Sequence, residues 1–333
     1  MNSGELQQQL FAEIKRKIGE DSSMVDEVAK LLDISTDSAY RRIRGEKTIS
    51  LDELHSLCTN YKISLDQMMN ISTGAFMFQG NLLNHKNFRF DAYLTGMMHT
   101  MAYFNSFKHQ ELYYLCKDVP IFYHWLSKDL AAFKYYIWMI SIFGFPEFKN
   151  KKVDLDGYPE DLWEMGQKIL GLYEQLNSFE LWNIETFNST IHQIEYYRDS
   201  QMFHSDLDVL KLYEAVERVM DHLEEQAKLG YKFKIDDPGK RSLGKYQMYF
   251  NEILLFDNSI IAVLDDTKLT LLAHTTNNYM MTRDITFSEN FFQYVQNLMR
   301  RSTQISEVSE KERSRFFRIL RERIDRRKEA LKV

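Results

Sequence analysis

The sequence predicts a mainly α-helical protein with a small antiparallel β-meander near its C-terminus. Gly and Pro are scarce, at 13 and 4 of 333 residues, which disfavours turn-dense all-β folds. Apolar residues recur at helical spacing over most of the chain. Runs rich in β-branched and aromatic residues are concentrated after residue 245. We therefore predict an N-terminal domain of four or five helices and a large helical region that carries the meander.

The first 70 residues contain short, well-delimited helices. Leu6, Leu10, Ile14 and Ile18 form the stripe of an amphipathic helix. Further helices begin at N-cap signals in which Ser is followed three residues later by an acidic or amide side chain. These signals are Ser23-x-x-Asp26, Ser50-x-x-Glu53 and Ser64-x-x-Gln67. Between the first two lies a helix over Ser35–Arg44, which Gly45 ends.

Residues 71–87 are assigned to a linker and residues 88–333 to a mostly helical region, with a sub-boundary near 230–245 that sets off residues 246–333. Helices are predicted over 89–106, 128–143, 159–177, 186–202 and 205–229, and a strand over Glu111–Cys116. Three β-rich runs predict the meander: Tyr246–Phe256, Ser259–Leu264 and Leu269–Thr275. Caps at Thr286 and Ser309 begin two final helices.

Composition and charge restrict the class of protein. The longest nearly apolar run, Tyr135–Phe145, is far shorter than the roughly 20 residues that a membrane span needs. The polar N-terminus does not resemble a signal peptide, and two cysteines are too few for a disulfide scaffold. We therefore predict a cytoplasmic protein with no membrane partner. The net charge is −6, and residues 1–70 are also acidic, so a nucleic-acid contact there requires a local basic cluster.

Two consecutive helices of the N-terminal domain have the pattern of a tight helical corner. Val28 and Ala29 lie on the inner face of the first helix, and the small Ala29 allows a close crossing. Asp33 falls at the turn, where a positive φ is often needed and Asp tolerates it. On the second helix, Ala39 and Ile43 face the core, which turns Arg41 to the opposite, outer side.

The segment Val25–Met69 resembles the Cro/repressor-type (XRE-like) helix-turn-helix family of transcriptional regulators. The matching residues are Val28-Ala29, Ile34-Ser35, Arg41, Arg44-Gly45, Ser50-Leu51-x-Glu53-Leu54 and Ile63-Ser64-Leu65-Asp66. Asp33 departs from the family's usual turn Gly, and Ile43 is displaced from the usual aliphatic position. The resemblance is confined to the N-terminal domain. It implies a sequence-specific DNA-binding regulator that places the helix Ser35–Arg44 in the major groove.

The residue types on this helix suit DNA recognition. Arg can bind guanine through two hydrogen bonds, an acidic group can accept from cytosine, and hydroxyl groups can bind either bases or phosphates. We assign base reading to Thr36, Asp37, Ser38 and Arg41. We assign contacts with the DNA backbone to Ser35, Tyr40, Arg42, Arg44 and Lys47.

The remaining region is too large for a tether. We predict that it forms a homodimer, because palindromic operators match two-fold dimers, and that it responds to a small-molecule or protein effector. The sequence contains no recognisable nucleophile–base pair or metal-ligand set. Gly239–Lys245 matches G-x-x-x-x-G-K but is followed by Tyr246 rather than Ser or Thr. We therefore predict no enzyme, cofactor or metal. Two alternatives stay open: an antitoxin-like adaptor that binds protein, and an unrecognised enzyme within residues 80–333.

Overall fold

The computed structural model describes residues 3–18, 23–69, 76–80, 88–149, 151–253, 257–275 and 278–331. The chain falls into two compact units, Met1–Met77 and Phe78–Val333. Within the predicted linker, residues 71–75 and 81–87 lie outside the described residues. Gln79 belongs to the second unit, where its backbone exchanges two 2.7 Å hydrogen bonds with Met281.

The described residues of the first unit form five short helices. They are α1 (Ser3–Lys17), α2 (Met24–Leu32), α3 (Thr36–Ile43), α4 (Leu51–Tyr61) and α5 (Leu65–Met69). The hydroxyls of Ser23, Ser35 and Ser50 accept hydrogen bonds from backbone N–H groups in the first turns of α2, α3 and α4. This confirms the cap signals at Ser23 and Ser50. The turn between α2 and α3 depends on Asp33, whose φ is +52°. This is the left-handed conformation predicted at that position.

A small core holds these helices together. Leu10 and Ile14 of α1, Val28 of α2, Ala39 of α3 and Leu57 of α4 are almost fully buried against one another. The predicted inner faces of α2 and α3 are therefore confirmed. Because Ala39 is buried, the opposite side of α3 is exposed.

The second unit is built on a seven-stranded mixed sheet. Its strands are β1 (Gln110–Cys116), β2 (Asn177–Trp182), β3 (Tyr246–Phe250), β4 (Ser259–Leu264), β5 (Thr267–Thr275), β6 (Asn278–Thr282) and β7 (Thr303–Gln304). They lie in the order β6-β5-β4-β1-β2-β3-β7. The central strands β1, β2 and β3 are parallel, whereas β4, β5, β6 and β7 pair antiparallel with their neighbours.

The prediction of a mainly α fold with a small meander is wrong, because this sheet makes the second unit an α/β structure. The run that begins at Tyr246 does not pair with Ser259–Leu264; β1 and β2 lie between them. Its last residues, 254–256, lie outside the described part of the chain. The strand β2 is not among the predicted elements; it follows directly after a helix and pairs in parallel with the distant β1. Parallel neighbours are joined by long crossovers, so the local pattern gives no sign of their pairing.

The helices of the second unit lie on both faces of the sheet. They are α6 (Phe90–Asn105), α7 (Lys128–Ile137), α8 (Glu160–Gln175), α9 (Asn188–Asp199), α10 (Asp206–Leu229), α11 (Ile285–Arg300) and α12 (Glu310–Glu329). A short 3₁₀ helix, Ile121–Leu126, precedes α7. On one face, α11 covers a minor core around Tyr113, Leu181 and Ile261. The other helices enclose the main core on the opposite face. A helix is observed at each predicted segment, but 128–143 ends in a π-helix from Trp138 to Ile142, and Asn177 belongs to β2 instead of α8. The cap predicted at Thr286 is wrong, because Asp284 caps α11, and Ser309 precedes α12 without a side-chain cap hydrogen bond.

Candidate nucleic-acid interface

Helix α3 presents an exposed polar face formed mostly by residues that the sequence analysis selected. Four of them are exposed on α3 itself: Thr36, Asp37, Tyr40 and Arg41. Ser35 and Arg44, which flank the helix, are exposed as well. These six residues are called the α3 outer face below. Ser38 is half-buried, and its backbone N–H donates to the Ser35 hydroxyl at 3.3 Å.

Arg42 does not belong to this face. Its side chain is only 6% exposed and forms a two-point ion pair with Glu53 of α4. A third hydrogen bond runs from Nη1 to the Ser38 carbonyl oxygen, at 3.1 Å. A guanidinium held by three bonds in the interior is not free to reach a phosphate, so Arg42 positions α3 instead of contacting DNA.

Glu53 combines two structural tasks. One carboxylate oxygen accepts from the Ser50 N–H at 2.9 Å, which completes the capping box of α4. Both oxygens also accept from Arg42. These hydrogen bonds hold the pKa of Glu53 below its usual value, although partial burial opposes the shift. The sequence pattern predicts the cap but gives no sign of the link to α3.

The two exposed arginines share one acidic neighbour. Arg41 Nε and Arg44 Nη1 lie 3.8 and 3.7 Å from the two carboxylate oxygens of Glu46, and all three side chains are about half exposed. The Arg44 guanidinium also lies over the Tyr40 ring, 5.4 Å from its centroid. Glu46 reaches this place because its N–H donates to the Arg41 carbonyl, which folds the chain back after α3. Glu46 therefore weakens the positive potential of the α3 outer face.

The segment after α3 is fixed by Gln7 of α1. The buried Gln7 amide nitrogen donates to the carbonyls of Arg42 and Lys47, each at 2.7 Å, and its oxygen accepts from the Ile49 N–H. Gln7 contacts only backbone atoms of this segment, so the residue types in the segment do not predict these hydrogen bonds. The result is that Lys47 has a fixed main chain while its side chain is exposed.

The second unit contains a buried carboxylate that the sequence analysis also missed. Glu180 of β2 is fully buried. Its oxygens accept from five donors: the hydroxyls of Tyr123, Tyr173, Ser178 and Tyr246 and the Trp182 indole nitrogen. A carboxylate offers about four lone-pair sites. Glu180 is therefore saturated and ties β2 to the strand and helices around it, with no acceptor left for a substrate.

Two features bear on the alternative functions. The segment Gly239–Lys245 is followed by β3 and not by the helix that a phosphate-binding loop requires. Asp237 accepts from the Gly239 N–H at 3.0 Å and forms an ion pair with Arg241. Within the described residues, no group of three or more His, Cys, Asp or Glu side chains could hold a metal ion.

No protein-family model matches the chain, and no significant match is found among curated proteins or solved structures. Among the described helices, none is long and apolar enough to cross a membrane.

Proposed function

We propose that the chain is a sequence-specific DNA-binding transcriptional regulator of the Cro/repressor type. Helix α3 would lie in the major groove, with Thr36, Asp37, Ser38 and Arg41 toward the bases. Ser35, Tyr40, Arg44 and Lys47 would contact the sugar-phosphate backbone. Arg42 is left out of this set because its guanidinium is committed to Glu53.

The observation that carries the proposal is the composition of the α3 outer face. Its exposed side chains include two arginines, hydroxyl groups and one carboxylate, which are the groups that recognise base edges and phosphates. The buried Arg42–Glu53 pair and the Gln7 amide fix the helix and the segment after it. A rigid element supports recognition because less conformational entropy is lost on binding.

The salt dependence of DNA binding tests this proposal. Fluorescence anisotropy with a labelled duplex, recorded at several salt concentrations, should give a steep loss of affinity, because phosphate contacts release counterions. Lys47→Gln should reduce the logarithmic slope by about one. Arg16→Gln is the control, because Arg16 lies on α1 and pairs with Glu13; this variant should leave the slope unchanged.

The same experiment separates the proposal from the adaptor alternative. An adaptor that binds protein through α3 would bind duplex DNA weakly or not at all at low salt, and Lys47→Gln would have no effect.

We also propose that the regulator acts as a homodimer, because one small domain contacts a single half-site. Sedimentation of the full chain at micromolar concentration tests this, and a monomer there would contradict it.

A further inference from the structure

A cleft of about 790 Å³ opens in the second unit, between α6 and strands β4–β6. Its floor is apolar and buried: Phe104 of α6, Phe122 of the 3₁₀ helix, Ile260 of β4 and Leu269 of β5. The volume falls within the range of about 300–1,000 Å³ that is typical of sites for small molecules. The cleft is therefore large enough for a compact ligand with an apolar body.

Tyrosine hydroxyls supply polar groups inside the cleft. The Tyr114 and Tyr279 hydroxyls lie 2.8 Å apart, one donating to the other. Burial raises the pKa of both groups, so both stay neutral at physiological pH. A pair of neutral hydroxyls within apolar walls can orient a ligand without the cost of burying a charge.

The charged side chains among the described lining residues of the cleft are positive. Arg89 and Arg283 line it, and no described lining residue is Asp or Glu. This contrasts with the acidic balance of the whole chain, whose net charge is −6. Arg89 pairs with Asp91 outside the lining, at 2.5 Å. Arg283 is exposed and makes no ion pair with any described residue, so its guanidinium is available to an anion.

We propose that this cleft binds a small anionic amphiphile, with its apolar chain against α6 and the sheet and its acidic group at Arg283. The cleft volume is large enough for such a molecule. The apolar chain would pack on the buried floor, and the acidic group would lie beside the positively charged arginines that line the cleft. The binding site lies wholly within the second unit and does not depend on DNA recognition by α3.

The test uses the full chain and three ten-carbon probes that differ in head group: decanoate, decanol and decyltrimethylammonium. Isothermal titration calorimetry below the concentrations at which the probes form micelles should show saturable binding of decanoate. Decanol should bind more weakly and the cation most weakly. Arg283→Gln should lower the decanoate affinity about tenfold, because a hydrogen-bonded charge contact is lost. The same variant should leave the decanol affinity unchanged.

A second variant tests the location of the site. Gly96 of α6 lines the cleft, and a Cβ added there would meet no atom within 4 Å. The Cβ of Gly96→Phe is therefore accommodated, and its ring should lie beside the cleft and weaken binding of decanoate and decanol alike. Gly171→Phe is the matched control, because Gly171 lies in α8 beside a different groove and also has open space.

Three results would overturn the proposal. One is an absence of saturable decanoate binding by the wild-type chain. Another is equal affinity for the three probes in the wild-type chain and in Arg283→Gln, which would indicate nonspecific partition. The third is unchanged binding by Gly96→Phe. DNA is absent from the assay, so none of these results bears on the proposed function.

Discussion

Arg42 and Glu53 join helix α3 to helix α4 through two hydrogen bonds, 3.1 Å from Nε to Oε2 and 2.7 Å from Nη2 to Oε1. Glu53 also caps α4 through the Ser50 N–H. One carboxylate thus fixes both the start of α4 and the orientation of α3. The Arg42–Glu53 pair therefore sets the orientation in which α3 exposes Arg41 and Arg44.

Replacing Arg42 should destabilise the first unit. Removing the buried Arg42 guanidinium takes away its hydrogen bonds to Glu53 and Ser38 and leaves the partly buried Glu53 carboxylate with its cap contact alone, which costs about 1–3 kcal/mol. We expect Arg42→Met to accelerate hydrogen exchange of the backbone amides of α3 and α4, measured by mass spectrometry on the full chain. Arg41→Met changes an exposed arginine on the same helix and should cost less than about 0.5 kcal/mol. Equal exchange in the two variants would contradict the structural role of Arg42.

The stability of the first unit should depend on pH through Glu53. Its pKa is lowered in the folded chain, chiefly because Arg42 donates to it. The unfolded chain therefore takes up the proton first as the pH falls. This contribution is complete above the unfolded value of about 4.3 and is lost as the pH falls through the folded value.

Glu53→Gln isolates this effect from the other carboxylates. Gln can still accept the cap hydrogen bond but carries no charge to titrate. Urea unfolding followed by circular dichroism should show the wild-type chain to be more stable than Glu53→Gln at about pH 6, with the difference shrinking toward about pH 3. A difference that stays constant over this interval would rule out the assigned pKa shift.

Removing the charge of Glu46 should strengthen DNA binding. Glu46 lies within 4 Å of both exposed arginines of α3 and would repel phosphates beside them. Exposed ion pairs are worth up to about 1 kcal/mol, so Glu46→Gln should raise the affinity by at most about fivefold. Fluorescence anisotropy measures this, and Glu13→Gln makes the same charge change on α1 as a control. An unchanged or lower affinity in Glu46→Gln would show that this carboxylate does not face the DNA.

The second unit should become more stable as the pH rises above neutrality. Lys232 is fully buried, and desolvation lowers its pKa to about 7, while that of the buried Lys134 falls to about 8. Between these values and the unfolded value of about 10.4, the unfolded chain binds protons that the folded chain does not, so stability rises with pH. Glu174, whose pKa is raised to about 7, acts mainly below this window.

Guanidinium unfolding followed by tryptophan fluorescence reports on this unit, since all four tryptophans lie in it. We expect the free energy of unfolding to be higher at about pH 9 than at about pH 7.5. Lys232→Met removes the titrating group and should flatten much of this rise. The account of Lys232 fails if stability is the same at both values, or if the variant shows the full rise.

The first unit could be predicted closely because its signals are local. Ser23, Ser35 and Ser50 each cap a helix within three residues, and Asp33 lies in the turn where its conformation was expected. Arg42 shows the limit of this reasoning. Its residue type and place on the helix predict a contact with the DNA backbone, and only the position of Glu53 on the next helix decides that it is buried.

The antiparallel pairing of β4 with β5 agrees with the predicted meander, but the parallel centre of the sheet escaped prediction because its pairing is not local. β1 and β2 pair in parallel although residues 117–176, which include α7 and α8, separate them in sequence. Their side chains are buried on both faces, so β2 lacks the alternation that identifies a half-exposed strand. The cleft combines α6, the 3₁₀ helix and four strands. The residues that line the cleft come from distant parts of the sequence, so no single segment predicts it.

The most direct test of the DNA-reading claim is selection from random duplexes with the full chain, repeated with Arg41→Ala, Thr36→Ala and, as a control, Arg16→Ala. We predict enrichment of a two-fold symmetric sequence by the wild-type chain and by Arg16→Ala. Arg41→Ala should relax selection at one position of each half-site, at a cost of about 1–3 kcal/mol. If the wild-type chain enriches no sequence at low salt, or if neither Arg41→Ala nor Thr36→Ala alters the enriched sequence, α3 does not read DNA.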